Sequence, residues 1–140
     1  QTTGVSRNRK KWERELTTDN TRREAQAVQD AAETLHENFV KRAAQTDSIC
    51  HLAIAAPHPV LVCGDFNSLP SSYTYRRLSE FLEDGFKTGG HGYMYTYRYG
   101  KRMLRIDYAF HSPELECIDY YSPDLDLCSD HNPVIFTVKY

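Results

Sequence analysis

The segment Gly64-Asp65-Phe66-Asn67 places a carboxylate and a carboxamide two residues apart at the end of an apolar run. On an extended chain, residues i and i+2 point to the same face, so Asp65 and Asn67 project together. Ligand sites in open α/β sheets lie at this carboxyl end of the strands. Such a pair can orient a water molecule and hold a phosphoryl oxygen, although Gly, Asp and Asn also favour simple strand-ending turns.

A second segment, Ser129-Asp130-His131-Asn132-Pro133-Val134, precedes the last apolar run. Pro133 favours an extended Asn132 and a sharp local geometry, which can bring Asp130 and His131 onto one site. A carboxylate can ligate a hard divalent cation, and an imidazole can donate to a phosphate oxygen or transfer a proton. An Asx-type turn with an incidental histidine is the alternative.

A third segment, Arg105-Ile106-Asp107-Tyr108, sets Asp107 among apolar residues. A carboxylate buried there without a partner is costly, and an imidazole is a suitable partner. The alternative is a surface aspartate on an edge strand.

Two helices are predicted upstream of these strands. The first begins at Thr21 with a capping-box pattern and fades near Thr46 and Asp47, with an apolar stripe at intervals of three and four. Residues 1–20 are predicted to be loop or a frayed, flexible approach. The second helix follows Ser71 and Ser72, with a serine as its cap, and ends before Gly85 as a C′ residue. The two apolar stripes are Val28, Ala32, Leu35, Phe39 and Ala43 in the first helix, and Tyr75, Leu78, Phe81 and Leu82 in the second.

The remaining elements are predicted strands. Val60–Phe66 is a continuous apolar run, typical of a central strand buried on both faces. Four later strands are predicted, with a turn at Gly100-Lys101, over Tyr93–Tyr99, Leu104–Phe110, Glu116–Tyr121 and Val134–Tyr140. This order indicates an α/β chain of the α+β type, with a mixed or antiparallel sheet packed against two helices.

Composition sets outer limits on function. The chain has 140 residues and a net charge of −2, which excludes a strongly basic nucleic-acid binder as a whole. Basic residues dominate the first 25 positions, as a phosphate-approaching segment or as a solvated, flexible end. The four cysteines lack metal-site spacing and are expected to be free thiols. No signal peptide and no apolar run of roughly 20 residues is found, so localisation is left open. The chain lacks an initiator Met, from which we expect a processed or truncated product.

Together, GDFN, RIDYAF and SDHNPV, in this order, resemble the endonuclease/exonuclease/phosphatase superfamily from about Val60 to the C-terminus. That superfamily includes abasic-site DNA endonucleases, deoxyribonuclease I-like nucleases, sphingomyelinases and inositol-polyphosphate phosphatases. The resemblance implies that Asp65 orients or deprotonates the attacking water, or protonates the leaving group. It further implies that Asn67 contacts the scissile phosphate and that His131 binds a phosphoryl oxygen. By the same resemblance, Asp107 holds the imidazole and Asp130 ligates Mg²⁺ or Mn²⁺.

The resemblance also implies that residues 1–140 form one half of a four-layered α/β sandwich, its C-terminal half. The family's metal-binding glutamate, borne on an upstream strand, has no counterpart before Asp65. The metal is therefore expected only with the missing N-terminal half, and the isolated fragment is expected to be inactive. The bare sheet face is expected to permit self-association. The parent is expected to hydrolyse a phosphate ester of a nucleic acid, a phospholipid or a sugar phosphate.

Other classes of function stay open. The chain can be a non-catalytic fragment or binding module that keeps the scaffold, or a structural α/β domain with coincidental motifs. Tyrosines at every second position of Tyr93–Tyr99 form either a base-stacking face or a half-buried sheet face. Tyr93 and His91 lie near the region that the resemblance assigns to substrate-facing loops.

Overall fold

The computed structural model describes the backbone of residues 3–99, 101–125 and 128–140, with their side chains except those of residues 3–13, 15 and 16. The chain forms two compact units, Gln1–Lys41 and Arg42–Tyr140. The first unit consists of the leading turns of helix α1 (Thr3–Ala55). Its side chains are exposed from Thr17 onward, and Arg23 pairs with Asp19 one turn away, at 3.0 Å.

The predicted first helix is confirmed, but both of its predicted ends are wrong. It begins at Thr3, so Thr21 lies inside the helix, where its Oγ1 donates to the carbonyl of Thr17 at 2.9 Å instead of capping. The long side chains of the leading segment favour helix, which explains this extension. Whether residues 1–20 are flexible stays a prediction.

The end of α1 moves for a different reason. The sequence predicted that the helix fades near Thr46 and Asp47, residues that favour caps. In the structure Thr46 donates to the carbonyl of Arg42 within the helix, and Cys50, one turn later, is buried against helix α2 (Tyr73–Leu78). Tertiary packing therefore carries the helix on to Ala55.

The second unit contains short helices and antiparallel sheets, which confirms the α+β class. The elements in chain order are β1 (Leu61–Asp65), α2 (Tyr73–Leu78), β2 (Glu83–Asp84), α3 (Gly85–Gly89), β3 (Asp107–His111), β4 (Glu116–Tyr121) and β5 (Ile135–Lys139). Strand β3 pairs with β1 on one side and β2 on the other, and β4 pairs with β5 in a separate sheet with an irregularity between Cys117 and Asp119.

Two strand predictions need correction. The strand at VLVCGDF exists, but β1 is an edge strand with mostly exposed residues rather than a central buried one, and Leu61 is 48% exposed. Tyr93–Tyr99 is not a strand and contacts its neighbours through isolated bridges at Tyr97. The backbone N–H groups of Ile106 and Asp107 bond the Thr96 hydroxyl, so they are not available for a regular ladder. The other predicted strands are confirmed within a few residues.

The predicted turn after the tyrosine segment is partly visible. Lys101 and Arg102 have left-handed φ angles of 63° and 54°, as a tight turn requires, and Gly100 lies outside the described residues.

The first core lies between α1, α2 and the sheet of β1 and β3. The predicted serine cap of α2 is confirmed, and it is Ser72, whose Oγ accepts from the Tyr75 N–H in the first turn. The predicted stripe is mostly correct because Leu78 and Leu82 are buried, whereas Phe81 is exposed. Gly85 is not a C′ residue: α2 already ends at Leu78. The buried members of this core are Cys50, Tyr75, Leu78, Leu82, Tyr108 and Phe110.

A second core lies on the other face of β3. Ala109 packs there with Cys117 and Tyr120 of β4, while Phe86 and Phe136 complete the cluster. Helix α3 approaches β4 closely at Gly89, where an added Cβ would lie 2.6 Å from the Cys117 sulfur. The two sheets are thus packed through β3.

A buried ion pair joins β2 to the residues that lead into β3. The Arg105 guanidinium donates two hydrogen bonds to the Asp84 carboxylate, at 3.0 and 2.7 Å. Asp84 also accepts from the Tyr75 hydroxyl and from the Phe86 backbone, and the guanidinium lies over the Phe86 and Tyr108 rings. This pair holds the chain immediately before Asp107.

All four cysteines lie in the described part of the chain and are free thiols, as expected. Among the helices that the structure describes, none is both long and apolar enough to cross a membrane.

Candidate active site

Two carboxylates face each other where β1 ends and β3 begins. Asp65 and Asp107 are direct partners in the antiparallel register, so their side chains lie on the same face of the sheet. Like charges directly opposite each other are destabilising, and this pairing requires a neighbouring donor or cation. His131 supplies that group.

The His131 imidazole lies between the two carboxylates. Its Nδ1 is 2.8 Å from Asp107 Oδ2, and its Nε2 is 3.9 Å from Asp65 Oδ2. The short distance makes Nδ1 the donor to Asp107, and Nε2 is the ring nitrogen on the side of Asp65. The hydrogen bond to Asp107 raises the pKa of His131 above its ordinary value; burial opposes this rise, and the charges of Asp107, Asp65 and Asp130 reinforce it.

Asn67 joins Asp65 in a closed turn. Its backbone N–H donates to Asp65 Oδ1 at 2.8 Å, and its Nδ2 donates to Asp65 Oδ2 at 3.2 Å. The residue has a φ of 45°, in the left-handed region that asparagine tolerates better than most residues. The sequence left a strand-ending turn and a carboxylate–carboxamide pair as alternatives, and in the structure Asp65 and Asn67 form both at once.

Asp130 stands apart from this group. Its carboxylate is exposed, and its backbone carbonyl accepts from the N–H of Arg98 at 2.9 Å. In the part of the chain that the structure describes, the acidic and histidine ligand atoms that lie within 4.8 Å of one another belong to Asp65, Asp107 and His131. The structure thus brings together four of the five residues singled out in the sequence.

The side chains of this region differ in how well their donor atoms suit a divalent cation. Mg²⁺ and Mn²⁺ prefer oxygen ligands, and Mg²⁺ is commonly held by one or two carboxylates with waters and substrate phosphates. The Asp107 carboxylate already accepts a hydrogen bond from the imidazole, and the Asp65 carboxylate accepts from Asn67. These two groups therefore suit a hydrogen-bonded network better than a metal site. The exposed carboxylate of Asp130 has the donor type that such a cation takes.

Thr96 is a positioning residue that the sequence reasoning missed. It is fully buried, and its Oγ1 accepts from the N–H groups of Ile106 and Asp107 at 3.0 and 3.1 Å. Its carbonyl accepts from the N–H of Asn132 at 2.7 Å, next to His131. Thr96 therefore hydrogen-bonds both the start of β3 and the loop that contains His131. Its position inside the tyrosine alternation was the available signal.

Of the tyrosines, Tyr97 is the one that reaches the site. Its ring meets the His131 ring edge to face, with centroids 5.2 Å apart. Tyr93 is 69% exposed and donates to the Met103 carbonyl, and His91 is also exposed. Neither Tyr93 nor His91 contacts the group around His131 in the described hydrogen bonds and ring contacts.

Comparison with known proteins shows which family the chain matches. A family model described as the Endonuclease/Exonuclease/phosphatase family matches residues 10–131. An endonuclease/exonuclease/phosphatase from Bacteroides vulgatus is 27% identical, with a TM-score of 0.61 over 70% of this chain and 43% of that chain. A conserved protein of unknown function from Enterococcus faecalis V583 is 20% identical, with a TM-score of 0.64 over 72% and 45%.

A mannosyl-6-phosphatase from Bacteroides thetaiotaomicron shares the fold at 20% identity, with a TM-score of 0.51 over 71% of this chain and 44% of that chain. The chain thus spans less than half the length of these three structures. A search of curated protein sequences found no match.

Proposed function

The chain belongs to the endonuclease/exonuclease/phosphatase family, and on that premise we propose that it supplies the C-terminal half of a divalent-metal-dependent phosphohydrolase. Members of this family are hydrolases that act on phosphate esters, and they are generally metal-dependent. The observation that carries the proposal is the imidazole of His131 held between Asp107 and Asp65 at the paired ends of β1 and β3.

In the proposed reaction a water molecule attacks the phosphorus in line with the leaving oxygen. Asp65 orients or deprotonates that water, or protonates the leaving group, and Asn67 contacts the scissile phosphate. His131, protonated on both ring nitrogens, donates from Nε2 to a phosphoryl oxygen while its Nδ1 donates to Asp107. Fixed donors of this kind stabilise charge that develops in the transition state without reorganising during the reaction.

For the metal, Asp130 is the proposed carboxylate ligand of Mg²⁺ or Mn²⁺. A bound cation of this type neutralises negative charge on the phosphoryl oxygens. One exposed carboxylate does not make a complete site, so the other protein ligands are proposed to come from the half of the sandwich outside this chain. The length of the matched structures supports this division.

The outer part of β1 supports the same division. Leu61, Cys63 and Asp65 alternate along one face of the strand and are exposed, and Leu61 is 48% exposed. We propose that the other half of the sandwich covers this face, and that the isolated chain is inactive and self-associates through it. Light scattering on the isolated chain tests this, and a sharp monomeric species at high concentration would contradict it.

The proposed substrate is a phosphate ester of a nucleic acid, a phospholipid or a sugar. The net charge of −2 argues against a strong DNA binder, and neither monoesters nor diesters are favoured by the site as described. The whole protein should therefore be assayed against panels of both, with Mg²⁺, with Mn²⁺ and with a chelator. Loss of hydrolysis in chelator and its return with metal are the expected results.

His131→Ala is the decisive variant in that assay. Loss of a transition-state donor lowers kcat by on the order of 10²-fold or more. The matched control is His58→Ala, because His58 is an exposed histidine in the loop between α1 and β1. Near-normal turnover by His131→Ala would refute the role given to the imidazole. A whole protein that hydrolyses no ester would favour the alternative, a non-catalytic binding module that keeps the scaffold.

A further inference from the structure

We infer that Arg42 is a positioning residue of the candidate active site, where its guanidinium holds Asn67 in the conformation that closes the turn with Asp65. The effect on turnover rests on the proposed function, whereas the effect on the turn does not. The sequence gives no local signal for this role, because Arg42 lies in helix α1, 25 positions upstream of Asn67.

The contact is direct and short. Arg42 Nη1 donates to the backbone carbonyl of Asn67 at 2.6 Å. That carbonyl belongs to Asn67, whose left-handed φ of 45° is uncommon for residues other than glycine, although asparagine tolerates it better than most. A charged donor on the carbonyl fixes the direction of the peptide plane, and with it the direction of the Asn67 side chain.

The residues on either side of Asn67 are held by different groups. The Phe66 N–H donates to the carbonyl of Ile106 at 2.9 Å, and the Tyr108 hydroxyl donates to the carbonyl of Ser68 at 2.7 Å. Both partners belong to β3 or to the residues that lead into it. Arg42 therefore contacts the intervening carbonyl from helix α1, whereas the neighbouring contacts come from β3 and the residues before it.

The helix that carries Arg42 is anchored independently of this loop. One turn later, Thr46 is buried and its Oγ1 lies 3.2 Å from the hydroxyl of Thr74 in α2. Asp47 accepts hydrogen bonds from Tyr73 and Arg77, which belong to the same short helix. The part of α1 that carries the Arg42 guanidinium is thus held in place by α2, as a positioning role requires.

A direct role in substrate binding is the competing explanation. Arg42 and Gln45 line a cleft of about 340 Å³ that extends to Asp65 and Asn67, so a guanidinium here is also within reach of an anionic substrate. The two roles differ kinetically. A positioning residue lowers kcat at nearly constant KM, whereas a residue that binds the substrate equally in ground and transition states raises KM.

The first test is the kinetics of Arg42→Ala and Arg42→Lys in the whole protein. We expect kcat of Arg42→Ala to fall by on the order of 10- to 100-fold, as small misplacements of reacting groups do. KM should change by less than about twofold. Arg42→Lys should recover much of the loss, because a lysine ammonium can donate to the same carbonyl. Lys41→Ala is the matched control, since Lys41 is the adjacent basic residue, 71% exposed and paired with Glu37. A rise in KM at constant kcat would overturn the inference.

The second test does not depend on catalysis. Amide hydrogen exchange, followed by NMR in the same proteins, should be faster at Asn67 by about tenfold or more in Arg42→Ala, because its N–H is bonded within the turn. Exchange at Phe66, which bonds Ile106, should change by less than about twofold. Unchanged exchange at Asn67 in both Arg42 variants would end the inference, even in an active enzyme. Faster exchange in a protein without phosphohydrolase activity would instead end the proposed function alone.

Discussion

Neutralising Asp84 should destabilise the protein strongly, because Arg105 would then be a buried cation without an anionic partner. The side chain of Asp84 is 1% exposed and that of Arg105 is 9% exposed. Burial by itself lowers the pKa of Arg105, yet the hydrogen bond and the charge of Asp84 outweigh burial and raise that pKa above its ordinary value. The cation therefore depends on this carboxylate.

The expected magnitude follows from the pair's burial and geometry. Removing one partner of a buried ion pair costs about 3–5 kcal/mol, against a total stability of about 5–15 kcal/mol for a typical domain. Asp84→Asn keeps the size of the side chain, so its cost reports the lost charge rather than a cavity. With a urea dependence of about 2 kcal/mol per molar, the unfolding midpoint falls by on the order of 2 M.

The assay is urea unfolding of Asp84→Asn, Arg105→Met and the double variant. The double variant removes both charges, so it should be less destabilised than the sum of the single variants by about 2–3 kcal/mol. Asp19→Asn is the matched control, because its pair with Arg23 is exposed and worth about 0.5 kcal/mol or less. A loss below about 1 kcal/mol for Asp84→Asn, or full additivity in the double variant, would refute the reasoning.

Two further predictions concern the residues that hold the imidazole. Asp107→Asn should lower the pKa of His131, measured by NMR titration in chelator, because the Asp107 hydrogen bond is the main cause of its rise. Because the pKa of His131 is higher in the folded state, protonation of the imidazole stabilises that state. This contribution is fully present below the ordinary value of 6.5 and is lost as pH rises through the folded pKa. The variant should therefore lose most stability on the acidic side, and an unchanged titration would contradict this. Thr96→Val removes the acceptor of two N–H groups, the buried one of Ile106 and the part-buried one of Asp107, and should cost about 2–4 kcal/mol in urea unfolding. Thr96→Ser keeps the acceptor and should cost about 1 kcal/mol, so equal losses in the two variants would disprove the hydrogen-bond explanation.

Local sequence was sufficient where neighbouring residues decide the structure. Ser72 caps α2 because its hydroxyl reaches the first turn of its own helix. The turn at Asp65 and Asn67 closes between residues two apart, and β4 occupies the predicted range Glu116–Tyr121. The cap and the turn depend on contacts within a few positions of the chain, which a single sequence displays, and the composition of β4 is typical of a strand whatever its partner.

Predictions failed where distant residues compete for the same groups. The tyrosine alternation predicted a strand, but the Thr96 hydroxyl takes backbone donors ten and eleven positions away. Helix α1 passes Thr46 and Asp47 because Cys50 packs against α2. Strand β1 looked central from its apolar residues, and its edge position follows from sheet order. These hydrogen bonds, packing contacts and strand pairings join residues that are distant in sequence, so a local pattern does not reveal them.

For the candidate active site, the amino-acid sequence alone determined the family and the chemical types of the residues, since three ordered motifs identify them without coordinates. Only the tertiary structure decided how they meet. It set Asp65 opposite Asp107, placed His131 between them, and left Asp130 apart with an exposed carboxylate. The physical reason is that side-chain type is a property of each position, whereas a distance of 2.8 Å between residues 24 positions apart depends on how the whole unit packs.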